Sequence, residues 1–135
     1  MIKAFIGVVH PWLCDTMGHL NSRHYVAMFD DATYVTIAHL GYRHGTGQGW
    51  VDVRNEVDYV SEVHAGAIVE IFSGIAKIGT KSLTVFSEMR SYEGTPIHAR
   101  MRAVLARFDL VQRCAMPISE EIRERASALL TVDAS

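Results

Sequence analysis

The pattern of apolar and polar positions predicts one long helix near the start of the chain. Apolar or small side chains recur at helical spacing after Asn21, at Tyr25, Met28, Phe29, Ala32, Thr36 and Leu40. Asn21 is a good N-cap, because its amide oxygen can accept from the free N–H groups of a helix start, and Gly41 is a typical stop. The helix is therefore expected to run about 19 residues, or about 28 Å.

Outside this helix the apolar positions mark strands. The short β-branched and aromatic run Lys3–Val9 predicts a first strand. After a glycine-rich connection over Tyr42–Gly49, apolar and charged residues alternate from Val51 to Tyr59, which is typical of a strand with one buried face. Similar runs predict further strands over Ala67–Lys77, Leu83–Tyr92 and Ile97–Asp109.

The segments between these runs predict how the strands are connected. Ile78–Ser82 and Glu93–Pro96 have the composition of tight turns, and Ser119 is a suitable N-cap for a short helix through Ser127. We therefore expect an α+β layout in which four strands joined by hairpins cover the long helix. The edge strands of such a sheet stay unpaired, which favours self-association.

Composition and charge exclude several classes of protein. Hydrophobic residues make up 49% and charged residues 21%, as in globular domains, so we expect a single domain over residues 1–135. The formal net charge of −2 does not favour binding to nucleic acid. Apolar runs are too short to span a membrane, and the first residues lack the pattern of a signal peptide. Cys14 and Cys114 are far apart and fit a reducing cytoplasm.

The loop His10–Leu20 holds most of the candidate chemistry. Asp15 is either a catalytic carboxylate or simply a turn former. The spacing of histidines and Cys14 in this region matches no standard zinc site, so no metal is expected. Cys14 is a weaker candidate nucleophile, since no third group is evident to orient a histidine beside it and the adjacent Asp15 would raise its pKa.

The residues before and within the helix start resemble a known family. The segment runs Asp15-x-x-Gly18-His19-x-Asn21-x-x-x-Tyr25 and resembles the hotdog-fold acyl-CoA thioesterases of the 4-hydroxybenzoyl-CoA thioesterase type. Later pieces agree with the same family at Glu62–Gly66, Ile78–Ser82 and Met116–Arg123. Over residues 10–31 the chain is also similar to a betainyl-CoA thioesterase branch of that family.

The resemblance implies a fold, an assembly and a catalytic residue. It implies a curved antiparallel sheet wrapped around one long central helix, and a homodimer or homotetramer with acyl-CoA bound between subunits. It implies no cofactor, and Asp15 stands where the family has its catalytic carboxylate. The helix start, with free backbone N–H groups from Ser22 to His24, would polarise the thioester carbonyl. Asn21 and His19 would assist, although His19 serves equally well to organise the loop.

The remaining site candidates concern substrate binding. Gly18 would allow a backbone shape or a close ligand approach that a Cβ blocks. Trp12 and Tyr25 would line an acyl pocket, and a cluster of Trp12 with Trp50 would suit a quaternary ammonium group. His64, in a turn between strands, would either face the same pocket or, as is more common for such a histidine, lie at the surface.

Two further choices stay open at the sequence level. Lys81 is the candidate contact for the CoA phosphates, although solvated strand charges explain basic residues equally well. Asp30 and Asp31, inside the helix, are alternative bases.

These observations predict a cytoplasmic acyl-CoA thioesterase that hydrolyses a small to medium acyl group. The Gly18-His19-x-Asn21 portion departs from the pattern of the type enzyme, which leaves the acyl group open. Two other functions fit the same fold. One is a non-catalytic module that binds or senses acyl-CoA, and the other is an enoyl thioester hydratase, whose His and acidic motif is not evident here.

Overall fold

The computed structural model describes residues 1–132 and consists of one curved antiparallel sheet with a long helix packed against it. In chain order the elements are β1 (Ile2–Val8), a short 3₁₀ turn (Pro11–Leu13), α1 (Ser22–His39), β2 (Gln48–Tyr59), β3 (Ile68–Ile78), β4 (Ser82–Ser91), β5 (Ile97–Asp109), β6 (Cys114–Ala115) and α2 (Glu120–Ser127). The predicted α+β class is confirmed.

The strand order differs from the expected run of hairpins. The sheet is ordered β1-β3-β4-β5-β2, with the two-residue β6 added to β5. Only β3–β4 and β4–β5 are hairpins, because β2 pairs with β5 and β3 pairs with β1. The expectation of four hairpin-linked strands was therefore wrong. Alternation of apolar residues specifies which face of a strand is buried, but it does not specify the neighbouring strand.

The long helix begins and ends where its capping residues predict. The Asn21 side chain accepts a hydrogen bond from the Arg23 N–H at 3.1 Å, and Gly41 follows the helix with φ at +96°. One face of α1 packs against β1, β3 and β4. The side chains that it buries there are Tyr25, Met28, Phe29, Ala32, Thr33, Thr36 and Ile37.

The opposite face of α1 is exposed, although apolar side chains lie on it. Val26, Tyr34 and Val35 are all in this group. The neighbouring strand β2 lies at an edge of the sheet. At the opposite edge of the sheet, β1 pairs with the first part of β3, as far as Ser73. The part of β3 after Ser73 is covered by residues 129–131, because Ile75 N–H donates to Leu129 O and Thr131 N–H donates to Ile75 O. No helix within residues 1–132 has the length and hydropathy needed to cross a membrane.

A chain of ion pairs crosses the outer face of the sheet. Glu88 on β4 accepts from Arg90 Nε at 2.8 Å and from Arg100 Nε on β5 at 3.0 Å, and Lys3 on β1 pairs with Glu70 on β3. Glu88 is buried although it lies on this outer face, because the long arginine side chains cover it. The pair with Arg100 therefore joins β4 to β5 in a poorly hydrated place, whereas the pair with Arg90 lies within β4.

We expect Glu88→Ala to destabilise the fold. The substitution leaves two guanidinium groups without their partner, and because these are still 27% exposed, the loss should be about 1–3 kcal/mol, below the range for fully buried pairs. The measurement is the free energy of unfolding in urea. Glu93→Ala, in an exposed turn, is the matched control and should change it by less than about 0.5 kcal/mol. Equal effects of the two substitutions would contradict a stabilising role for the Glu88 pairs.

Candidate active site

The loop before α1 is held by its own backbone in a tight turn. The Asp15 N–H donates to His19 O, and the Gly18 N–H donates to Asp15 O, both at 3.0 Å. Gly18 has φ at +85°, and a Cβ added there would meet nothing within 4 Å. Glycine is therefore needed for the backbone conformation of the turn rather than for space.

Only one oxygen of the Asp15 carboxylate forms a hydrogen bond within this turn. Its Oδ1 accepts from the Met17 N–H at 2.9 Å, whereas Oδ2 lies 3.9 Å from His19 Nδ1. The Asp15 side chain keeps 21% of its surface exposed. The turn-forming and chemical roles of Asp15 are thus compatible, because one oxygen supports the loop and the other faces His19.

A cavity of about 370 Å³ opens beside this loop. It is bounded on one side by the loop and the start of α1, and on the other by the end of β2 and the residues that follow it. Its lining consists of Asp15, His19, Leu20, Ser22, Tyr25, Tyr59, Val60, Ser61 and Glu62. A concave site of this size with convergent polar groups is typical of a small-molecule pocket.

The helix start offers the cavity one backbone donor instead of the three expected. The Arg23 N–H donates to the Asn21 side chain, and the His24 N–H donates to Asn21 O at 2.9 Å. The expectation that all N–H groups from Ser22 to His24 are free was wrong, because the cap and the first helical turn occupy two of them. Within residues 1–132 no acceptor pairs with the Ser22 N–H, and Ser22 lines the cavity.

Two tyrosines in the cavity lining, the buried Tyr25 and the exposed Tyr59, contact each other. The rings of Tyr25 and Tyr59 meet edge to face, with centroids 5.0 Å apart and planes at 82°. Burial raises the pKa of the Tyr25 phenol, and the nearby Tyr59, Glu62 and Asp15 groups raise this pKa further. Tyr25 therefore remains a neutral phenol at physiological pH.

Four of the residues singled out from the sequence line this cavity, namely Asp15, His19, Ser22 and Tyr25. Asn21 and Gly18 lie in the same loop but do not line the cavity. The side-chain oxygen of Asn21 accepts the capping hydrogen bond from the Arg23 N–H. His19 Nδ1 also lies 3.3 Å from Leu20 O, so this ring is tied to the loop as well as open to the cavity.

Trp12 and His64 lie close to the loop but face outwards. Trp12 is 74% exposed and stacks on the ring of His10, with centroids 4.4 Å apart. His64 is also exposed, and its Nδ1 lies 3.5 Å from Gly18 O. Neither side chain lines the cavity.

Lys81 lies far from the cavity. It is exposed in the hairpin between β3 and β4, whereas the cavity lies at the level of the opposite end of β3. At the rise of an antiparallel strand, β3 spans about 35 Å. Lys81 therefore does not reach the cavity of its own chain.

A second cavity of about 270 Å³ lies further along α1. Its lining is Asp30, Thr33, Tyr34, Ile37, Trp50, Asp52 and Leu105. Burial raises the pKa of the Asp30 carboxyl, and the charges of Asp52 and Asp31 raise it further. Because Trp50 lies here and Trp12 lies at the loop, the expected cluster of these two tryptophans does not form.

Sequence reasoning gave no role to the cavity wall formed by Tyr59, Val60, Ser61 and Glu62, here called the crossover wall. Glu62 belongs to a segment that carries the family resemblance, and this was the only available signal. The wall begins where β2 leaves its pairing with β5 at Tyr59 and Ala99. The wall reaches the loop because the chain crosses from β2 towards β3. The periodicity of apolar residues does not predict this crossover.

No three His, Cys, Asp or Glu side chains within residues 1–132 are grouped as a metal ion would require. Cys14 is half-buried and Cys114 is exposed, and both are free thiols. The Cys14 Sγ lies 3.9 Å from His10 O, a backbone atom that cannot act as a base. The chemistry of the first cavity therefore rests on its carboxylates, imidazole and phenols.

Comparison with known proteins shows the same fold in several solved structures. A predicted thioesterase from Bacillus stearothermophilus has 26% sequence identity and a TM-score of 0.82, over 95% of this chain and 97% of that one. A hypothetical protein from Staphylococcus aureus, solved in complex with CoA, has 17% identity and a TM-score of 0.82, over 100% and 89% of the two chains. A 1,4-dihydroxy-2-naphthoyl-CoA thioesterase from Synechocystis has 14% identity and a TM-score of 0.80, over 94% and 96%.

A search of curated proteins finds no match to this chain. The family model of the thioesterase-like superfamily, in contrast, matches residues 9–126. The matched range includes the Asp15 loop, α1 and the whole crossover wall, as well as strands β2 to β6. The hotdog-like architecture and this match agree, and the chain belongs to the thioesterase-like superfamily.

Proposed function

We propose that this protein hydrolyses the thioester of a small to medium acyl-CoA to the free acid and CoA, with Asp15 as the catalytic carboxylate. The observation that carries the proposal is the meeting of the Asp15 carboxylate and the unpaired Ser22 N–H in one cavity at the start of α1. Thioester hydrolysis needs a group that attacks or activates water and a donor for the oxyanion. Asp15 supplies the first and Ser22 the second.

Two chemical routes are open to Asp15. As a nucleophile, its Oδ2 attacks the thioester carbon and expels CoA thiolate, which leaves a mixed anhydride that water hydrolyses to restore the carboxylate. As a general base, it takes a proton from the water that attacks the same carbon. In both routes the negative carbonyl oxygen is stabilised by the Ser22 N–H and by the positive end of the helix dipole.

The other loop residues have supporting roles in this proposal. His19, 3.9 Å from Asp15 Oδ2, orients the carboxylate or hydrogen-bonds the substrate carbonyl. Asn21 holds the helix start in place through its cap to Arg23 N–H. Gly18 gives the loop its turn.

Trp12, His64 and Lys81 are proposed contacts for parts of acyl-CoA that lie outside the cavity. Trp12 and His64 are exposed beside the loop. Lys81 is too far away to serve the cavity of its own chain, so it contacts CoA phosphates only if a neighbouring subunit brings it there.

The cavity favours a compact acyl group. Its apolar and aromatic walls, from Leu20, Val60 and the two tyrosines, bury a short chain or a ring. Within this class, 4-hydroxybenzoyl and betainyl groups are the two candidates that the sequence suggests. The edge-to-face tyrosines suit a ring, and the same rings with Glu62 suit a quaternary ammonium group.

We further propose that the protein acts as a homodimer or homotetramer in the cytoplasm. The free edge of β2 and the apolar outer face of α1 are adjacent surfaces that a second copy would cover. The two free cysteines agree with a reducing compartment.

Asp15→Asn should remain folded and lose thioesterase activity. An amide keeps the acceptor for the Met17 N–H but neither attacks the thioester nor takes a proton, so we expect kcat to fall at least about 100-fold. The measurement is release of free thiol from a panel of short, branched, aromatic and betainyl thioesters of CoA. Near-normal kcat in the variant would remove Asp15 from catalysis.

The same panel separates the alternative functions. Binding of acyl-CoA without thiol release by the wild type would contradict the proposal and favour a sensing module. Loss of enoyl absorbance without thiol release would instead favour a hydratase.

Asp30→Asn should keep thiol release and stabilise the protein at neutral pH. The raised pKa of Asp30 means that its ionised form is disfavoured in the folded state, so removing the charge should gain less than about 1 kcal/mol at this largely exposed site. The gain in stability should be lost as the pH falls from the raised pKa of Asp30 in the folded protein to the lower, ordinary pKa of an aspartate, because Asp30 is then protonated in both states. Thermal unfolding at several pH values measures it. Loss of turnover in this variant would favour the helix carboxylate as the base.

Val35→Arg should weaken self-association. Val35 is 40% exposed on the apolar face of α1, and an arginine there places a charge in the proposed interface. Analytical ultracentrifugation should give two or four chains for the wild type and a smaller assembly for the variant. Val111→Arg, at an 80% exposed site in a turn, is the control and should leave the mass unchanged. A monomeric wild type would contradict the proposed assembly.

A further inference from the structure

A buried histidine that the proposed chemistry does not use lies directly behind the crossover wall. His98, near the start of β5, is 5% exposed. Its Nδ1 lies 3.3 Å from both Ser61 O and Ser61 Oγ. Its backbone carbonyl accepts from the Val60 N–H at 2.8 Å and from the Ser61 N–H at 3.1 Å. Both the ring and the backbone of one residue therefore hold two residues of the wall.

The hydrogen bonds of Ser61 determine the direction of the contact with His98. The Ser61 hydroxyl donates its single proton to Ile97 O at 2.7 Å. The imidazole must then be the donor, so Nδ1 carries the proton and gives it to Ser61 O or Oγ. Burial lowers the pKa of His98, against the smaller effect of the backbone groups of Ser61 and Glu62, so the ring is neutral at physiological pH.

Few other hydrogen bonds join the wall to the sheet within residues 1–132. The ladder between β2 and β5 ends at Tyr59 and Ala99. After the bonds to His98, the next backbone hydrogen bond along the chain runs from Leu20 N–H to Val63 O at 2.8 Å and joins the segment after the wall to the loop. Between these two points the chain is fastened by residues 97 and 98 alone, among the hydrogen bonds found within residues 1–132.

The position of this segment determines the shape of the cavity. Tyr59, Val60, Ser61 and Glu62 line it opposite the Asp15 loop and the start of α1. A shift of the wall would move the Tyr59 ring away from Tyr25, with which it is in edge-to-face contact. It would leave the loop turn around Asp15 intact, because that turn is closed by its own hydrogen bonds.

We propose that His98 is a positioning residue that fixes the crossover wall and thereby determines which acyl group the cavity accepts. The inference rests on the proposed thioesterase function and extends it to specificity. Since His98 acts on the wall and not on Asp15, its loss affects recognition of the acyl group more than the chemical step. A neutral side chain with a donor at the position of Nδ1 should replace it.

The test compares His98→Leu with His98→Asn. The asparagine side chain places its N–H₂ group near the position of Nδ1, whereas leucine has no donor. We expect His98→Leu to raise KM for the preferred acyl-CoA about tenfold, with kcat within about threefold of wild type and with reduced discrimination between acyl groups. His98→Asn should restore KM to within about threefold.

A second measurement reports on the wall without any substrate. In His98→Leu the amides of Val60 and Ser61 should exchange with deuterium at least about tenfold faster, because the ring no longer holds Ser61 and the bonds from these amides to the carbonyl of residue 98 open more often. Ser87→Ala is the matched control, because Ser87 is a buried polar residue of the neighbouring strand, bonded to Ser73 at 2.7 Å and outside the cavity lining. It should lower stability without changing KM or these two amides.

Several outcomes would overturn the inference. The first is that His98→Leu leaves KM and amide exchange unchanged. The second is that His98→Asn raises KM as much as His98→Leu does. The third is that Ser87→Ala raises KM to the same extent. If His98→Leu does not fold, His98→Gln replaces it, since glutamine keeps a polar side chain but places its amide near the position of Nε2.

Failure of the proposed function is distinguishable from failure of this inference. If the wild type releases no thiol from any acyl-CoA, the thioesterase proposal fails. The Kd for non-hydrolysable thioether analogues of acyl-CoA is then measured instead of KM. The inference requires His98→Leu to bind more weakly than the wild type, and His98→Asn to bind nearly as well as the wild type.

Discussion

The hydrogen bonds between the loop before α1 and the β2–β3 crossover are the constraint on which the candidate site depends. Leu20 N–H donates to Val63 O, and Gly66 N–H donates to Val9 O, both at 2.8 Å. These bonds bring the start of α1 against a segment more than forty residues later in the chain. Buried backbone groups need partners, and these two bonds provide them between the two segments. The cavity is the space that remains between them.

The electrostatic character of the site follows from this arrangement. Asp15 comes from the loop and Glu62 from the crossover, and both charges act on the Tyr25 phenol between them. The helix start adds a partial positive charge and one unpaired N–H at Ser22. This donor is available to a carbonyl oxygen that becomes negative. The cap at Asn21 occupies the Arg23 N–H, whereas the Ser22 N–H has no acceptor within residues 1–132 and Ser22 lines the cavity.

Much of the candidate site could be predicted from the sequence because it is local. Asn21 and Gly41 define the ends of α1 through capping, and Asp15, Gly18 and His19 form a turn within five residues. The crossover wall and His98 could not be predicted in this way. Tyr59 and Ser61 carry no distinctive motif, and His98 is one of seven histidines whose burial depends on the pairing of β5. The family resemblance marked Glu62–Gly66 as important, but it did not say which cavity those residues face.

The helices, the strands and the faces that they bury follow from the amino-acid sequence, because helix caps, turn residues and apolar periodicity act over a few residues. The resemblance to thioesterases was also visible there, since the Asp15–Tyr25 motif and the segments Glu62–Gly66, Ile78–Ser82 and Met116–Arg123 follow one another in the family's order. Three features depend on long-range packing instead: β2 lies beside β5, Lys81 is remote from Asp15, and Trp12 and Trp50 are apart. Strand neighbours are chosen by the packing of the whole chain, and many pairings satisfy the same alternation of apolar residues. The shape of the cavity depends on that choice, because its two walls come from segments that meet only after the sheet has formed.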